Sequence, residues 1–545
     1  RQVRRGRPRV SRRPVAMPRR HVGALLATAA ALLASAVAAG APGQLYSPHD
    51  ARARSDPMES PLASAGAAGR AFNLARGAEA QAAPSTAAAA GAAPGLGYPP
   101  GSDPSFDHQT TPYAAQFEPV TATVTGTVQA FFSPDHSIDT LTELVQSVPQ
   151  GGVVTIGSPG LSSWSGCTRF DGTCVGCTVD NMAKEQFPIF AAMLNAVHEA
   201  GATVRLLTNN YGTPTCAGQI SPLDFLALNG VDVRHYTTTT FMHAKYITVS
   251  AAAADEPEDA AMAGPRPASA GRVTAVSSVN WSFTSFMENR EAGMVLKAGT
   301  EVLQDIYYAA WKYDFAQAPK YVVNQTYSAA DMAKITSTAH YPVVIPPPKE
   351  HKGAFVTPPP VDVTATMGAT AYVSPDFSRD QALADLQEAK SEFALHIYQV
   401  TDFGICSQLA AAARRGVNVT MLVSSQIFDK EDRYFAEQCY YNLTTQHGFR
   451  IRLTPSYYTY SHQKFWFTDG RLSLSSGNWS PSDLPDATKF PPYPSQGWTN
   501  ANRDVNIKTD APAVVALFRT VMEQDYERGS DYVPTPPTPP TDDDQ

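Results

Sequence analysis

Two short apolar segments of the chain each place a lysine two residues after a histidine. The first contains His243 and Lys245, and the second contains His462 and Lys464. Side chains alternate along a strand, so the histidine and lysine of each pair are expected on one face. Histidine exchanges protons near neutral pH and can act as a nucleophile, and lysine binds anionic oxygens. The two pairs therefore predict chemistry on an anionic substrate.

The same polar residues follow both pairs. Each copy has a Ser-x-Asn motif and then an acid after Asn-Arg: Ser278, Asn280 and Glu291 in the first, and Ser476, Asn478 and Asp504 in the second. Hydroxyl and amide groups can donate hydrogen bonds to an anion, and a carboxylate beside a histidine fixes its tautomer. The acids could instead pair with the preceding arginines, Arg290 and Arg503. A lone histidine is more often structural, but its recurrence with lysine favours a catalytic site.

A larger pattern is repeated around these motifs. Residues 131–135 recur as 372–376, and each copy continues with a helical pattern, an apolar strand, an amphipathic helix and another strand. Strands that alternate with helices indicate an α/β fold. We expect two homologous lobes, residues 119–340 and 362–531, each a mainly parallel sheet flanked by helices. A proline-rich linker, residues 341–361, would join them, and the lobes would share one central active site.

Over residues 120–530, the paired motifs resemble the HKD motifs of the phospholipase D superfamily. The resemblance implies that one histidine attacks phosphorus to give a phosphohistidine, while the other protonates the leaving alcohol and then activates water. The order usual in the superfamily implies that His243 is the nucleophile and that His462 is the acid and base. Glu291 would orient His243, and Asp504 would orient His462. The lysines, asparagines and motif serines would hold the non-bridging oxygens, and no metal or other cofactor is expected.

One position departs from the motif. Its aspartate is present in the second copy as Asp469, whereas Ser250 stands at the equivalent position in the first. In members of the superfamily this aspartate supports structure rather than touching phosphate, so we expect activity to be retained. Residues 251–270, rich in Ala, Asp, Glu and Pro, follow Ser250 and are typical of a surface insertion.

The resemblance leaves the substrate open. We expect a phosphodiesterase that removes a phospholipid head group at a membrane surface, and we expect a monomer. A nuclease on single-stranded nucleic acid and an inactive phosphate-binding protein are the alternatives. The net charge is −8, and the first twenty residues hold nine arginines and no acid, so residues 21–545 carry about −17. An acidic body disfavours non-specific binding to nucleic acid.

The amino-terminal residues predict export. Residues 17–38 combine basic residues, an Ala/Leu-rich run and a small-residue cleavage site, as in a signal peptide, with a membrane anchor as the alternative. We expect a secreted protein or one in the endomembrane lumen. Residues 1–16 would be an upstream extension, residues 39–118 a disordered low-complexity segment, and residues 532–545 a disordered tail.

Six cysteines fit such an oxidising compartment. Cys406 and Cys439, the two in the second lobe, are the natural disulfide pair. The other four are expected to form disulfides, with a zinc cluster as the alternative: Cys167, Cys174, Cys177 and Cys216. Three sequons are plausible glycosylation sites: Asn324, Asn418 and Asn442.

Overall fold

The computed structural model describes residues 113–161, 178–184, 186–209, 220–236, 240–251, 271–323, 325–337, 340–485 and 501–540. The predicted signal peptide, the four first-lobe cysteines, Asn324 and nearly all of the 251–270 insertion lie outside the described residues. Within the described ranges, no helix has both the length and the apolar character needed to cross a membrane.

The first repeat begins with a long strand, continues with alternating helices and strands, and ends with hairpin-connected strands and two helices. In chain order its elements are β1 (Val120–Ser133), α1 (Ser137–Gln146), β2 (Val153–Gly157), α2 (Val179–Met182), α3 (Pro188–His198), β3 (Thr203–Asn209), α4 (Pro222–Leu228), β4 (Asp232–Tyr236), β5 (Phe241–Met242), β6 (Lys245–Ser250), β7 (Val273–Ser277), α5 (Phe283–Met287), β8 (Glu291–Leu296), α6 (Glu301–Gln317) and α7 (Ala329–Ile335).

The second repeat follows the same plan. Its elements are β9 (Asp362–Val373), α8 (Ser378–Glu388), β10 (Glu392–Ile397), α9 (Phe403–Arg414), β11 (Asn418–Val423), α10 (Lys430–His447), β12 (Ile451–Leu453), β13 (Lys464–Thr468), β14 (Arg471–Ser475), β15 (Asn502–Arg503), β16 (Val505–Thr509), α11 (Pro512–Arg528) and β17 (Ser530–Asp531).

Fifteen of the described strands form one continuous sheet in the order β17-β12-β11-β10-β13-β14-β16-β9-β1-β8-β7-β6-β2-β3-β4. The repeats join at its centre, where β1 pairs antiparallel with β9 from Val120 opposite Ala371 to Gln129 opposite Asp362. The strand order on one side of this junction mirrors the order on the other. The predicted α/β fold with two homologous lobes is confirmed.

The parallel part of the sheet is smaller than expected. Among the fifteen strands of this sheet, parallel pairing is confined to β2, β3 and β4 in the first repeat and to β10, β11 and β12 in the second. The expectation of a mainly parallel sheet was therefore wrong, because strands joined by hairpins must run antiparallel. The motif strands β13 and β14 are joined by Asp469 and Gly470, whose φ values of 46° and 88° suit a two-residue hairpin turn.

One hydrophobic core contains residues from both repeats. Phe132 of β1 contacts Phe518 of α11, with ring centroids 4.9 Å apart, and Phe518 contacts Phe465 of β13 at 5.0 Å. Full burial of a side chain of this size stabilises a fold by roughly 1.5–3 kcal/mol. The shared core therefore fixes the two repeats against each other near the ends of the motif strands.

The predicted disulfide between Cys406 and Cys439 is confirmed. It links α9 to α10 with the Cα atoms 6.0 Å apart, and both residues are buried. The crosslink ties together two helices that cover the outer, parallel part of the second lobe's sheet.

Residues 113–118 make specific contacts with the second lobe. Tyr113 is buried, and its hydroxyl donates hydrogen bonds of 3.0 Å to both carboxylate oxygens of Asp376. The backbone amides of Gln116 and Phe117 donate to the same carboxylate, at 2.5 and 2.8 Å. Residues 113–118 were wrongly assigned to the disordered segment. These six residues lack a clear periodicity in sequence, but a buried carboxylate of the second lobe requires their donors.

Candidate active site

Backbone hydrogen bonds between the repeats hold both histidines. Strand β5 pairs in parallel with β15, and the amide of His243 donates to the carbonyl of Arg503 at 3.0 Å. The matching bond runs from the amide of His462 to the carbonyl of Arg290 at 2.8 Å. Each His-x-Lys segment is thus anchored to the Asn-Arg-acid segment of the other repeat, so the site lies at the boundary between lobes.

The acids reach across the same boundary. Nδ1 of His243 lies 2.9 Å from Oδ1 of Asp504, and Nδ1 of His462 lies 2.8 Å from Oε2 of Glu291. The expected pairing within each copy was therefore wrong. Because the Asn-Arg segment of one repeat is bonded to the histidine segment of the other, the acid that follows faces the other repeat's histidine.

The arginines next to these acids do not compete for the histidine sites. Each arginine contacts two acids, one from each repeat: Arg290 contacts Asp135 at 3.2 Å and Asp525 at 2.9 Å, and Arg503 contacts Asp376 at 2.9 Å and Asp314 at 2.8 Å. Both guanidinium groups are fully buried. These ion pairs exclude the simpler interpretation that Glu291 and Asp504 only neutralise their neighbouring arginines.

The motif serines hold the acids. Ser278 Oγ donates to Glu291 at 2.6 Å, and Ser476 Oγ donates to Asp504 at 2.7 Å. Each serine oxygen also accepts a hydrogen bond from a backbone amide of the neighbouring strand. We expected Ser278 and Ser476 to bind substrate, but their hydroxyl protons are engaged by the carboxylates. Their observed contacts are those of residues that position the acids.

The two lysines lie at the histidine cluster, and the two asparagines are buried after the motif strands. Lys464 Nζ lies against Nε2 of His462, and Lys245 Nζ donates to the carbonyl of Ser476 at 3.3 Å. Both lysines are almost fully buried, which is rare for lysine without a specific role. Asn280 and Asn478 are buried as well, in the turns that follow β7 and β14. The structure therefore places the predicted histidines, lysines and acids at the junction of the lobes, and the two asparagines in buried turns after the motif strands.

A third acid, Asp483, was not predicted. It is 2% exposed, and its Oδ1 lies 3.1 Å from Nδ1 of His243. Its carboxylate accepts hydrogen bonds from the Asn478 amide, the Ser480 hydroxyl and the Asn502 side chain at 2.9, 2.7 and 2.5 Å. The sequence signal was a difference between the copies, since the first copy has a serine five residues after its motif asparagine.

The environments of the two histidines differ in charge. Burial and the ammonium group of Lys245 lower the pKa of His243, but the two neighbouring carboxylates outweigh both, and its pKa is raised above 6.5. Burial lowers the pKa of His462 well below 6.5, and the neighbouring lysine charges act in the same direction. The two pKa values are therefore shifted in opposite directions, which favours the protonated form of His243 and the neutral form of His462.

His243, Asp483 and Asp504 also offer three ligand atoms within 4.8 Å of one another. A metal ion could use such a spacing. However, the histidine nitrogen lies at hydrogen-bond distance from both carboxylates, which also accept hydrogen bonds from neighbouring hydroxyl and amide groups. Because these partners already satisfy the donors and acceptors, we interpret the group as a hydrogen-bonded cluster.

The motif aspartate lies outside this cluster. Asp469 occupies the turn after β13, where its carboxylate accepts hydrogen bonds from the backbone of Lys390, Ser391 and Glu392 and from the Ser391 hydroxyl. These hydrogen bonds, led by the one from the Ser391 side chain, lower the pKa of Asp469 below its usual value. Ser250 is the last residue of β6 and lies opposite Val153. The departure at Ser250 therefore affects a hairpin end and not the histidine cluster.

The two lobes, the paired histidines and lysines, and the crossed acids define a site of the phospholipase D type. The profile described as "Cardiolipin synthase, PLD-like domain" matches residues 179–308 and 382–526, just over half of the chain. The chain belongs to this family, whose members act on phosphodiesters. Among curated proteins, none matches.

Similar solved structures include a phospholipase D family member, Nuc. Nuc from Salmonella typhimurium is 18% identical, with 30% of this chain and 98% of Nuc covered and a TM-score of 0.25. NucT from Helicobacter pylori is 19% identical, with 30% and 99% covered and a TM-score of 0.25. The phosphatidylserine synthase of Haemophilus influenzae Rd KW20 is 8% identical, with 74% and 87% covered and a TM-score of 0.44.

Proposed function

We propose that this protein hydrolyses a phosphodiester through a phosphohistidine intermediate, and that its substrate is a phospholipid whose head group is released. The observation that carries the proposal is the pair of buried histidines, each oriented at Nδ1 by a carboxylate of the opposite repeat. Such a carboxylate leaves Nε2 as the reacting nitrogen and stabilises the imidazolium form. One histidine would attack phosphorus, and the other would donate a proton to the leaving oxygen.

The remaining polar groups suit the charge that develops on the phosphate. Lys245 and Lys464 provide two ammonium groups in a buried site, where electrostatic attraction is stronger than in water. The side-chain amides of Asn280 and Asn478 supply uncharged donors. These four side chains would hold the non-bridging oxygens of the phosphate, while Glu291 and Asp504 would keep the histidine rings in place.

Charge supports a lipid over a nucleic acid as the substrate. Residues 21–545 carry a net charge of about −17. Proteins that bind nucleic acid without sequence preference neutralise its phosphates with surface lysines and arginines. An acidic body attracts a polyanion poorly, whereas a phospholipid presents one phosphodiester at a time.

The test compares two substrates. Purified protein would be incubated with phosphatidylcholine vesicles and with a labelled single-stranded oligonucleotide, and the released choline and nucleotide would be measured. We expect choline release, and we expect His243→Ala and His462→Ala each to lower it by at least about 10³-fold. His447→Ala, at an exposed histidine at the end of α10, is the matched control and should retain full activity.

The other outcomes separate the alternatives. Cleavage of the oligonucleotide alone would replace the lipid substrate by nucleic acid but keep the mechanism. Activity that survives both histidine substitutions would refute the mechanism. Binding of phosphorylated ligands without turnover of either substrate would identify an inactive phosphate-binding protein.

A further inference from the structure

The two halves of the site are nearly symmetric except at one position. Asp483 follows Asn478 by five residues, and Ser285 follows Asn280 by the same interval. The backbone amide of Asp483 donates to a serine hydroxyl three residues before it at 3.2 Å, and that of Ser285 does the same at 3.1 Å. A carboxylate in one half therefore replaces a hydroxyl in the other.

This replacement gives the two histidines unequal surroundings. Nδ1 of His243 lies within 3.1 Å of two carboxylates, those of Asp504 and Asp483, and the nearby positive charge that lowers its pKa is that of Lys245. Among the described residues, Glu291 is the carboxylate at hydrogen-bond distance from Nδ1 of His462, and the positive charges of Lys464, Lys245 and His243 all lower the pKa of this ring.

The contact of Lys464 adds a second asymmetry. Its ammonium group carries only donors, so Nε2 of His462 must accept from it. With Nδ1 donating to Glu291, His462 is then a neutral ring with a lone pair on Nε2. A lone pair at this nitrogen is what a nucleophile requires.

We propose that Asp483 gives the two histidines different roles, so that His462 attacks phosphorus and His243 is the proton donor. This inference rests on the proposed function. It reverses the roles that the resemblance implied, in which His243 was the nucleophile and His462 the acid and base. Asp483 is a positioning residue, since it acts through His243. The opposite pKa directions of the two rings support the same division.

The proposed reaction has two steps. Nε2 of His462 forms a bond to phosphorus as the bond from phosphorus to the leaving oxygen breaks, and that oxygen takes the Nε2 proton of His243. Lys464 moves from the histidine nitrogen to a phosphate oxygen. Water then gives a proton to the neutral His243 and attacks phosphorus, and the electron pair of the broken N–P bond returns to His462.

The first test uses a phosphodiester with a p-nitrophenol leaving group, which departs without strong acid assistance. We expect His243→Asn to release one equivalent of p-nitrophenol in a burst and then stop, because the second step lacks its base. Alkaline quenching and peptide mass spectrometry should locate the phosphate on His462. His462→Asn should release none. Thermal unfolding would show that both variants fold.

The reverse pattern, with a burst in His462→Asn and phosphate on His243, would overturn the division of roles while leaving the proposed function intact. Absence of p-nitrophenol release by the wild-type protein would instead refute the proposed function, and the division of roles with it.

The second test measures kcat/KM against pH. His462 must be neutral and His243 protonated, so the acid limb reports His462 and the alkaline limb reports His243. In Asp483→Ser the alkaline limb should move to lower pH by about one unit, because a carboxylate that holds the proton is gone. The acid limb should stay in place, and Ser285→Ala, the matched control, should move neither limb.

A purely structural role for Asp483 would lower the whole profile without shifting the alkaline limb, and that result would overturn the proposal. Loss of activity in EDTA with recovery on adding a divalent cation would overturn it as well, because His243 would then be a metal ligand.

Discussion

The buried arginine between the lobes gives a quantitative prediction about stability. Arg290 is fully buried and contacts Asp525 through Nε at 2.9 Å and Nη2 at 3.2 Å, with Asp135 at 3.2 Å. Arg290→Met keeps much of the side-chain volume but leaves Asp525 ionised and buried without its partner. Removing one member of such a pair costs about 3–5 kcal/mol.

This cost converts into a melting temperature. With an unfolding entropy of about 2.1 cal/mol/K per residue over residues 113–540, a loss of 3–5 kcal/mol lowers Tm by about 3–6 °C. Differential scanning calorimetry would measure the change. Arg450→Met is the matched control, since Arg450 and its partner Asp531 are both exposed, and such a pair is worth about 0–1 kcal/mol.

The decrease in Tm caused by Arg290→Met should become smaller as pH falls. Burial raises the pKa of Asp525 above its usual value, and loss of Arg290 raises it further. An acid with a raised pKa in the folded state destabilises the fold when ionised, and protonation relieves that cost as pH falls through this pKa. The Tm difference between Arg290→Met and wild type should therefore shrink between about pH 8 and about pH 5.

Two results would refute this reasoning: a Tm deficit below about 1 °C at the higher pH, or a deficit that grows as pH falls. The double variant Arg290→Met/Asp525→Leu should recover most of the lost stability, because it removes the unpaired charge and not only its partner.

Three further predictions concern residues away from the histidines. Asp469→Ala should lower Tm, most clearly above about pH 4, while kcat stays within about twofold of wild type, because its hydrogen bonds fix a hairpin end. Replacing Cys406 and Cys439 by alanine should cost about 3–4 kcal/mol in urea unfolding, given their separation of 33 residues. Replacing residues 251–271 by Asp-Gly should retain folding and activity within about fivefold, because a two-residue turn serves the equivalent hairpin of the second repeat.

The sequence was sufficient to find the paired motifs, since recurrence of His, Lys, Ser, Asn and an acid in one order is specific. It could not assign Glu291 to His462. The two acids are equivalent in pattern, and the partners lie 171 residues apart in the chain. Only the packing of one repeat against the other decides which histidine each acid faces.

The strand directions and Asp483 were also not predicted, and both have a physical explanation. Hydrophobic periodicity identifies strands but not their direction, so a mainly parallel sheet was expected, whereas β6, β7 and β8 pair antiparallel. The residue equivalent to Asp483 in the first copy is Ser285, so the residues shared by both copies do not include this acid. The signal for Asp483 in the sequence is a difference between the copies at equal spacing from the motif asparagine.

The crossed acids also bear on how such a chain could arise. In an isologous dimer, each subunit gives its partner what it receives from it. The repeats exchange Glu291 and Asp504 in this reciprocal way, and the central β1–β9 pairing is equally self-complementary in direction. Residues 341–361 then correspond to a tether between two former subunits. Once tethered, the halves no longer had to be identical, and a single substitution such as Asp483 could make one histidine differ from the other.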